Sequence, residues 1–131
     1  MVIDIFTLCD YAQDVGGKLT IVGTFDKIYF PELPGFLPIC SIATRISLEG
    51  GETGEHTIKI SILDSNEKEI IKPLGGKFNV NIQNDEEKGT VSFVIGIGRL
   101  KFESYGKYYI NLLIDEETRK SVTLVVKKPS K

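Results

Sequence analysis

Few side chains here have a wide chemical repertoire. One histidine, His56, stands beside two cysteines, Cys9 and Cys40, in a chain of 131 residues without tryptophan. A histidine acting as a general base needs a nucleophile or an orienting carboxylate within hydrogen-bond reach. Its sequence neighbours Glu52 and Glu55 fall in a loop. His56 therefore reads as a residue at the mouth of a strand, outside any Ser-His-Asp or Cys-His scheme. Both cysteines sit inside apolar stretches, where reduced thiols behave as small hydrophobes. A disulfide between them would need neighbouring strands and an oxidising compartment. Two cysteines and one histidine are too few ligands for a tetrahedral metal site, so neither a metal nor a cofactor is expected.

The carboxylates are more numerous, and they gather in loops: Glu49/Glu52/Glu55, Asp64/Glu67/Glu69, Asp85/Glu86/Glu87 and Asp115/Glu116/Glu117. Loop carboxylates at one end of a β-sandwich can hold Ca²⁺ through oxygen ligands. Asp64-Ser65-Asn66-Glu67 begins like a calcium loop but departs from it. Glu69 stands where the sharp turn needs Gly, and Gly75 where a bidentate Glu belongs. Solvated turn charges are the plainer reading. Paired carboxylates for glycoside hydrolysis lack converging aromatic platforms. Gly96-Ile97-Gly98 has the first two glycines of a dinucleotide fingerprint, but Lys101 replaces the third and no helix follows. These glycines read instead as a twisted or bulged strand.

The elements that must carry these groups repeat with a period of two. Cys40, Ile42, Thr44, Ile46 and Leu48 form one inward row. Ile58, Ile60 and Ile62 form another, as do Phe78, Val80 and Ile82. Val91, Phe93, Ile95 and Ile97, then Tyr108, Ile110, Leu112 and Ile114, then Val122, Leu124 and Val126 continue the pattern. Such alternation marks strands with one face on a core and one in water. Residues 2–12 carry apolar side chains on both parities, which implies either two covered faces or a β-bulge. Residues 18–29 read as one strand interrupted at Gly23. Gly16-Gly17, Gly50 to Gly54, Asp64 to Glu67, Pro73 to Gly76, Asn84 to Gly89 and Asp115 to Glu117 supply the turns. The expected fold is all-β: a two-sheet antiparallel β-sandwich, immunoglobulin-like with Greek-key connections, about eight strands in one domain over residues 1–131. Residues 31–38 form the long irregular connection that crosses between sheets. The tail after Lys127 is expected to fray.

That connection carries the candidate binding surface. Tyr29, Phe30, Leu33, Phe36 and Leu37 are apolar residues in a proline-stiffened stretch. They either close the end of the sandwich or project as a preorganised contact patch.

Sixteen basic and eighteen acidic residues give a net charge of −2. The cations are scattered among acids without interleaved stacking aromatics, so neither nucleic acid nor an anionic membrane is an expected partner. No run approaches the ~18 apolar residues of a membrane span. The start carries Asp4 and Asp10 and no basic residue before Lys18, unlike a secretory signal, so the expected compartment is the cytoplasm.

Two stretches resemble a known family. One is Cys9-Asp10-Tyr11-Ala12-Gln13, then Gly17 through Ile28, then Pro31, Pro34 and Pro38. The other is Phe102-Glu103-Ser104-Tyr105-Gly106-Lys107-Tyr108 through Asp115. They are similar to an uncharacterised family of small bacterial and phage-associated proteins. The resemblance covers nearly the whole chain and implies a compact β-sandwich. It carries over no catalytic or ligand residue. Tyr108 is placed to bury its ring while its hydroxyl ties a backbone group, as in a tyrosine corner. The expected function is a non-enzymatic interaction module, with a protein partner or self-association through loops or an edge strand. A Ca²⁺- or small-ligand-binding sandwich is the alternative, and a hydrolase stands third.

Overall fold

The computed structural model describes residues 1–82 and 88–130. The acidic run Asp85-Glu86-Glu87 and the turn around Asn84 lie outside the described residues. Among the described residues nine strands follow in order: β1 (Val2–Val15), β2 (Lys18–Thr24), β3 (Lys27–Tyr29), β4 (Gly35–Leu48), β5 (Gly54–Leu63), β6 (Leu74–Val80), β7 (Gly89–Phe102), β8 (Gly106–Ile114) and β9 (Glu117–Lys127). A 3-10 turn at Gly50–Glu52 links β4 to β5. The strands form two sheets, ordered β2-β1-β4-β7 and β3-β9-β8-β5-β6.

The inward rows of the two sheets meet in one core. Ile42, Ile46 and Leu48 of β4 face Ile60 and Ile62 of β5, Ile110 and Leu112 of β8, and Leu124 of β9, all within one buried cluster. Each such side chain contributes about 1.5–3 kcal/mol on burial, more than a surface polar contact does. The alternation of apolar residues therefore decides which face of each strand turns inward. Thr44 holds an inward position on β4, fully buried, as its register requires. Cys9 and Cys40 are both buried and free. Burial pushes the Cys40 thiol up to about 11, so it stays protonated and apolar.

Three local features depart from a plain alternation. In β1 the pairing with β4 slips between Ile3 and Ile5, a bulge that turns Asp4 outward to accept a hydrogen bond from the Ser47 hydroxyl. Further along, Cys9 and Ala12 leave the main core for a small cluster with Ala43, so β1 is covered on both faces. The third feature is shared by two strands. Inward residues of β4 run Leu48, Ile46, Thr44, Ile42, Cys40 and then Leu37. Those of β7 run Ile97 and then Leu100, Phe102. Each strand carries one extra outward residue, at Pro38-Ile39 and at Gly98-Arg99. These lie opposite each other, so the register closes unchanged, with Leu37 opposite Leu100 and Ile39 opposite Gly98. Arg99 takes a left-handed φ of 52° to make the kink.

The structure corrects three expectations. Residues 18–29 are two strands, not one. After Gly23, at φ 69°, the chain leaves β2 and enters the other sheet as β3. The sheets are not wholly antiparallel, because β3 runs parallel to β9. The crossing between sheets is shorter than residues 31–38, because Gly35 already pairs with Phe102 at the start of β4. The hairpin turn at Gly16-Gly17 has positive φ at both residues, as a tight two-residue connection demands.

Candidate functional site

The apolar connection divides its side chains. Phe30 turns inward and stacks on Phe102 with ring centroids 5.9 Å apart, and the Tyr105 hydroxyl donates to its carbonyl at 2.8 Å. Leu37 packs on the same core, and Leu33 is half-buried. Tyr29 and Phe36 stand exposed, with the Arg99 guanidinium 5.4 Å above the Phe36 ring. The five residues therefore do not share one surface. The kink adds a neighbour that sequence reasoning passed over. Ile39, beside Phe36 on the outer face of β4, is 67% exposed. Its signal was present, since Ile39 next to Cys40 breaks the alternation of that strand.

The exposed apolar side chains concentrate on one sheet. Among the described residues, Val2, Tyr11, Val15, Val22, Phe36 and Ile39 all belong to β1, β2 and β4. Between them lie the small buried residues Cys9, Ala12 and Ala43, with Ile21 and Val94 against them, and the charged pair of positions Asp4 and Arg45. The outer face of the other sheet carries Lys59, Lys77 and Lys107. Exposed apolar side chains gathered on one sheet mark contact sites more often than singly scattered ones do.

His56 lies at the far end of the molecule in a clasp of its own. Nδ1 faces the Asp115 carboxylate at 2.7 Å, and Nε2 faces the Glu52 carbonyl at 2.6 Å. Both neighbours are acceptors, so the ring satisfies both only as an imidazolium. The ring stacks on Phe78 at 5.4 Å, and Phe78 meets Phe93 edge-on at 5.3 Å. Asp115 also accepts the Thr57 N–H at 2.9 Å, which holds it at φ 51° in the β8–β9 turn. The partner missed in the sequence, Asp115, is distant in the chain and arrives through the β5–β8 pairing. With both nitrogens engaged, His56 has none free for a substrate.

The hydrogen bond to Asp115, then the Glu52 carbonyl, raises the His56 pKa above its ordinary 6.5, and the same bond lowers that of Asp115 below 3.8. The stability His56 contributes is complete below 6.5 and lost as pH rises through its raised value. That of Asp115 is complete above 3.8 and lost as pH falls through its lowered value. The clasp is worth most between these limits, on the order of 1 kcal/mol because Asp115 is half exposed. Thermal unfolding of the chain and of His56→Gln should therefore show a gap in Tm that is widest in this window and narrows on the alkaline side. A gap constant through alkaline pH would refute the clasp.

The acidic loops serve the backbone. Asp64 Oδ1 accepts the N–H of Asn66 at 2.9 Å and of Lys68 at 3.0 Å. Glu52 accepts the Glu49 N–H at 3.0 Å and pairs with the Met1 amino group at 2.8 Å. Among the described residues, no three of His, Cys, Asp and Glu converge as a metal site. A cleft of about 290 Å³ lies between Asp64, Lys68, Glu69, Lys101 and Tyr108. Its polar groups are largely spent on the protein. Lys101 pairs with Glu103 at 3.2 Å, and the Tyr108 hydroxyl donates to the Ser104 carbonyl at 2.8 Å. No helix among the described residues is long and apolar enough to cross a membrane.

The profile of a family of unknown function, DUF6941, matches residues 4–127. The chain belongs to that family. No curated protein matches it. The DUF6941 match runs from β1 to the end of β9, so it takes in both sheets, the kink and the His56 clasp.

Proposed function

We propose that this DUF6941 chain is a non-enzymatic protein-binding module that uses the outer face of the β2-β1-β4-β7 sheet. The observation that carries this reading is the concentration of exposed apolar side chains on that sheet, from Tyr11 and Val22 to Phe36 and Ile39. Prolines at 31, 34 and 38 and the Arg99 stack hold the Phe36 end in place, which lowers the ordering cost of binding.

The scaffold is read as an immunoglobulin-like Greek key. Two features support this. The chain crosses between sheets from β4 to β5 and from β7 to β8, leaving β4 beside β7 and β8 between β5 and β9. Tyr108, near the start of β8, is buried with its hydroxyl donating to the Ser104 carbonyl, in the manner of a tyrosine corner. A bacterial, phage-associated setting belongs to this reading through the motif resemblance alone.

A photo-crosslinking side chain at position 39 tests it. In cells, position 39 should yield one discrete protein adduct, and position 120 on the opposite sheet should yield none. Equal labelling at both positions, or none at 39, would remove the reading.

A further inference from the structure

We infer that this sheet is extended by a second copy of the chain, paired antiparallel along the free edge of β7; this rests on the protein-binding reading and names its partner. Four strands end the two sheets, and three of them are blunted. β3 has three residues, β2 has a left-handed break at Gly23, and β6 is short with Lys77 on it. Short length, charge and irregular twist are the usual defences of a sheet edge. β7 is long, and its cations, Arg99 and Lys101, lie at the kink and beyond it, outside its first ten residues. It runs for fourteen residues and pairs with β4 on one side only. Among the described residues no backbone hydrogen bond reaches its other side. Gly89-Thr90-Val91-Ser92-Phe93-Val94-Ile95-Gly96-Ile97-Gly98 holds no charge and no proline, between Lys88 and Arg99. An uncharged edge of high β propensity templates another strand.

The edge is also unfinished. Val91, Phe93 and Ile95 turn toward the core but stay half-buried, whereas Ile42 and Ile46 on the neighbouring strand are closed off completely. A sheet that continued past β7 would cover them.

The sequence of this edge fits itself. Two-fold antiparallel pairing centred on Val94 sets Phe93 against Ile95 and Val91 against Ile97 on the inner face, which are aromatic–aliphatic and aliphatic pairs that favour a sheet. On the outer face Ser92 meets Gly96 and Thr90 meets Gly98. At the ends Arg99 meets Gly89 and Lys88 meets Leu100, so no like charges oppose each other even though each copy carries −2 overall. The same surface serves both copies, as a closed two-fold interface requires. The product is one continuous eight-stranded sheet, two copies of β2-β1-β4-β7 joined at β7.

Sedimentation equilibrium of the full chain tests this. The unaltered chain should reach twice its 14.6 kDa mass as concentration rises. Thr90→Lys and Ser92→Lys, each of which sets a charge on the edge, should halve that mass while retaining the parent Tm measured at low concentration. A chain that stays at 14.6 kDa throughout, or lysine variants that remain fully dimeric, would overturn the pairing. The adduct at position 39 separates this from the broader reading. A monomer that still gives a discrete adduct to another protein refutes the self-pairing alone.

Discussion

Phe102→Ala is expected to destabilise the chain by about 3–5 kcal/mol, the range for removing a fully buried aromatic ring. Phe102 has no exposed surface. Its ring lies between Phe30 at 5.9 Å and the edge of Tyr108 at 5.0 Å, so its loss opens a cavity walled by two other large rings. Those neighbours cannot collapse inward. Tyr108 is anchored at Ser104 by its hydroxyl, and Phe30 by the Tyr105 bond to its carbonyl. Total stabilities of small domains run about 5–15 kcal/mol, so this one substitution would consume a large share. Urea unfolding measures it, with Phe36→Ala as the comparison, because that ring is exposed and should cost about 0.5 kcal/mol or less. Equal losses at the two positions would show that Phe102 is not the centre of this end of the core.

Gly35→Ala is expected to cost about 1–3 kcal/mol by the opposite route, overpacking. Gly35 is buried, and a Cβ there would fall on the Phe30 ring. The ring would have to swing away from Phe102, and the connection between β3 and β4 would move with it. The effect is carried by one contact, so shrinking that contact should remove it. In a Phe30→Leu background the added methyl should cost much less, a coupling of about 0.5–3 kcal/mol in a double-mutant cycle. Additive losses would place the strain elsewhere. Gly35 thus does different work from Gly16 and Gly17, which meet nothing and serve the backbone angle alone.

Much of the fold was legible because burial on one face imposes a period of two. The inward rows of β4, β5, β8 and β9 were readable residue by residue, including Thr44 among aliphatic neighbours. What escaped has physical causes. β3 is three residues long, too short for any period, and its parallel partner near Val125 lies far along the chain. The His56–Asp115 contact is made by strand pairing, not by local spacing, so a turn acid and a strand-mouth histidine looked unrelated. Among the apolar residues of the β3–β4 connection, exposure could not be read from type. Phe30 and Phe36 are chemically identical, yet Phe30 enters the core over the bare Gly35, while the register of β4 turns Phe36 outward.

The matched kink in β4 and β7 has a consequence for how this chain can vary in length. Deleting Ile39 alone would leave Leu37 and Gly35 facing inward and set Gly98 and Arg99 against Pro38 as an ordinary bulge. Deleting Gly98 alone would do the converse. The two together would restore plain alternation on both strands. Each strand can therefore lose its extra residue without turning its core face outward, and length changes among relatives should gather at these two places.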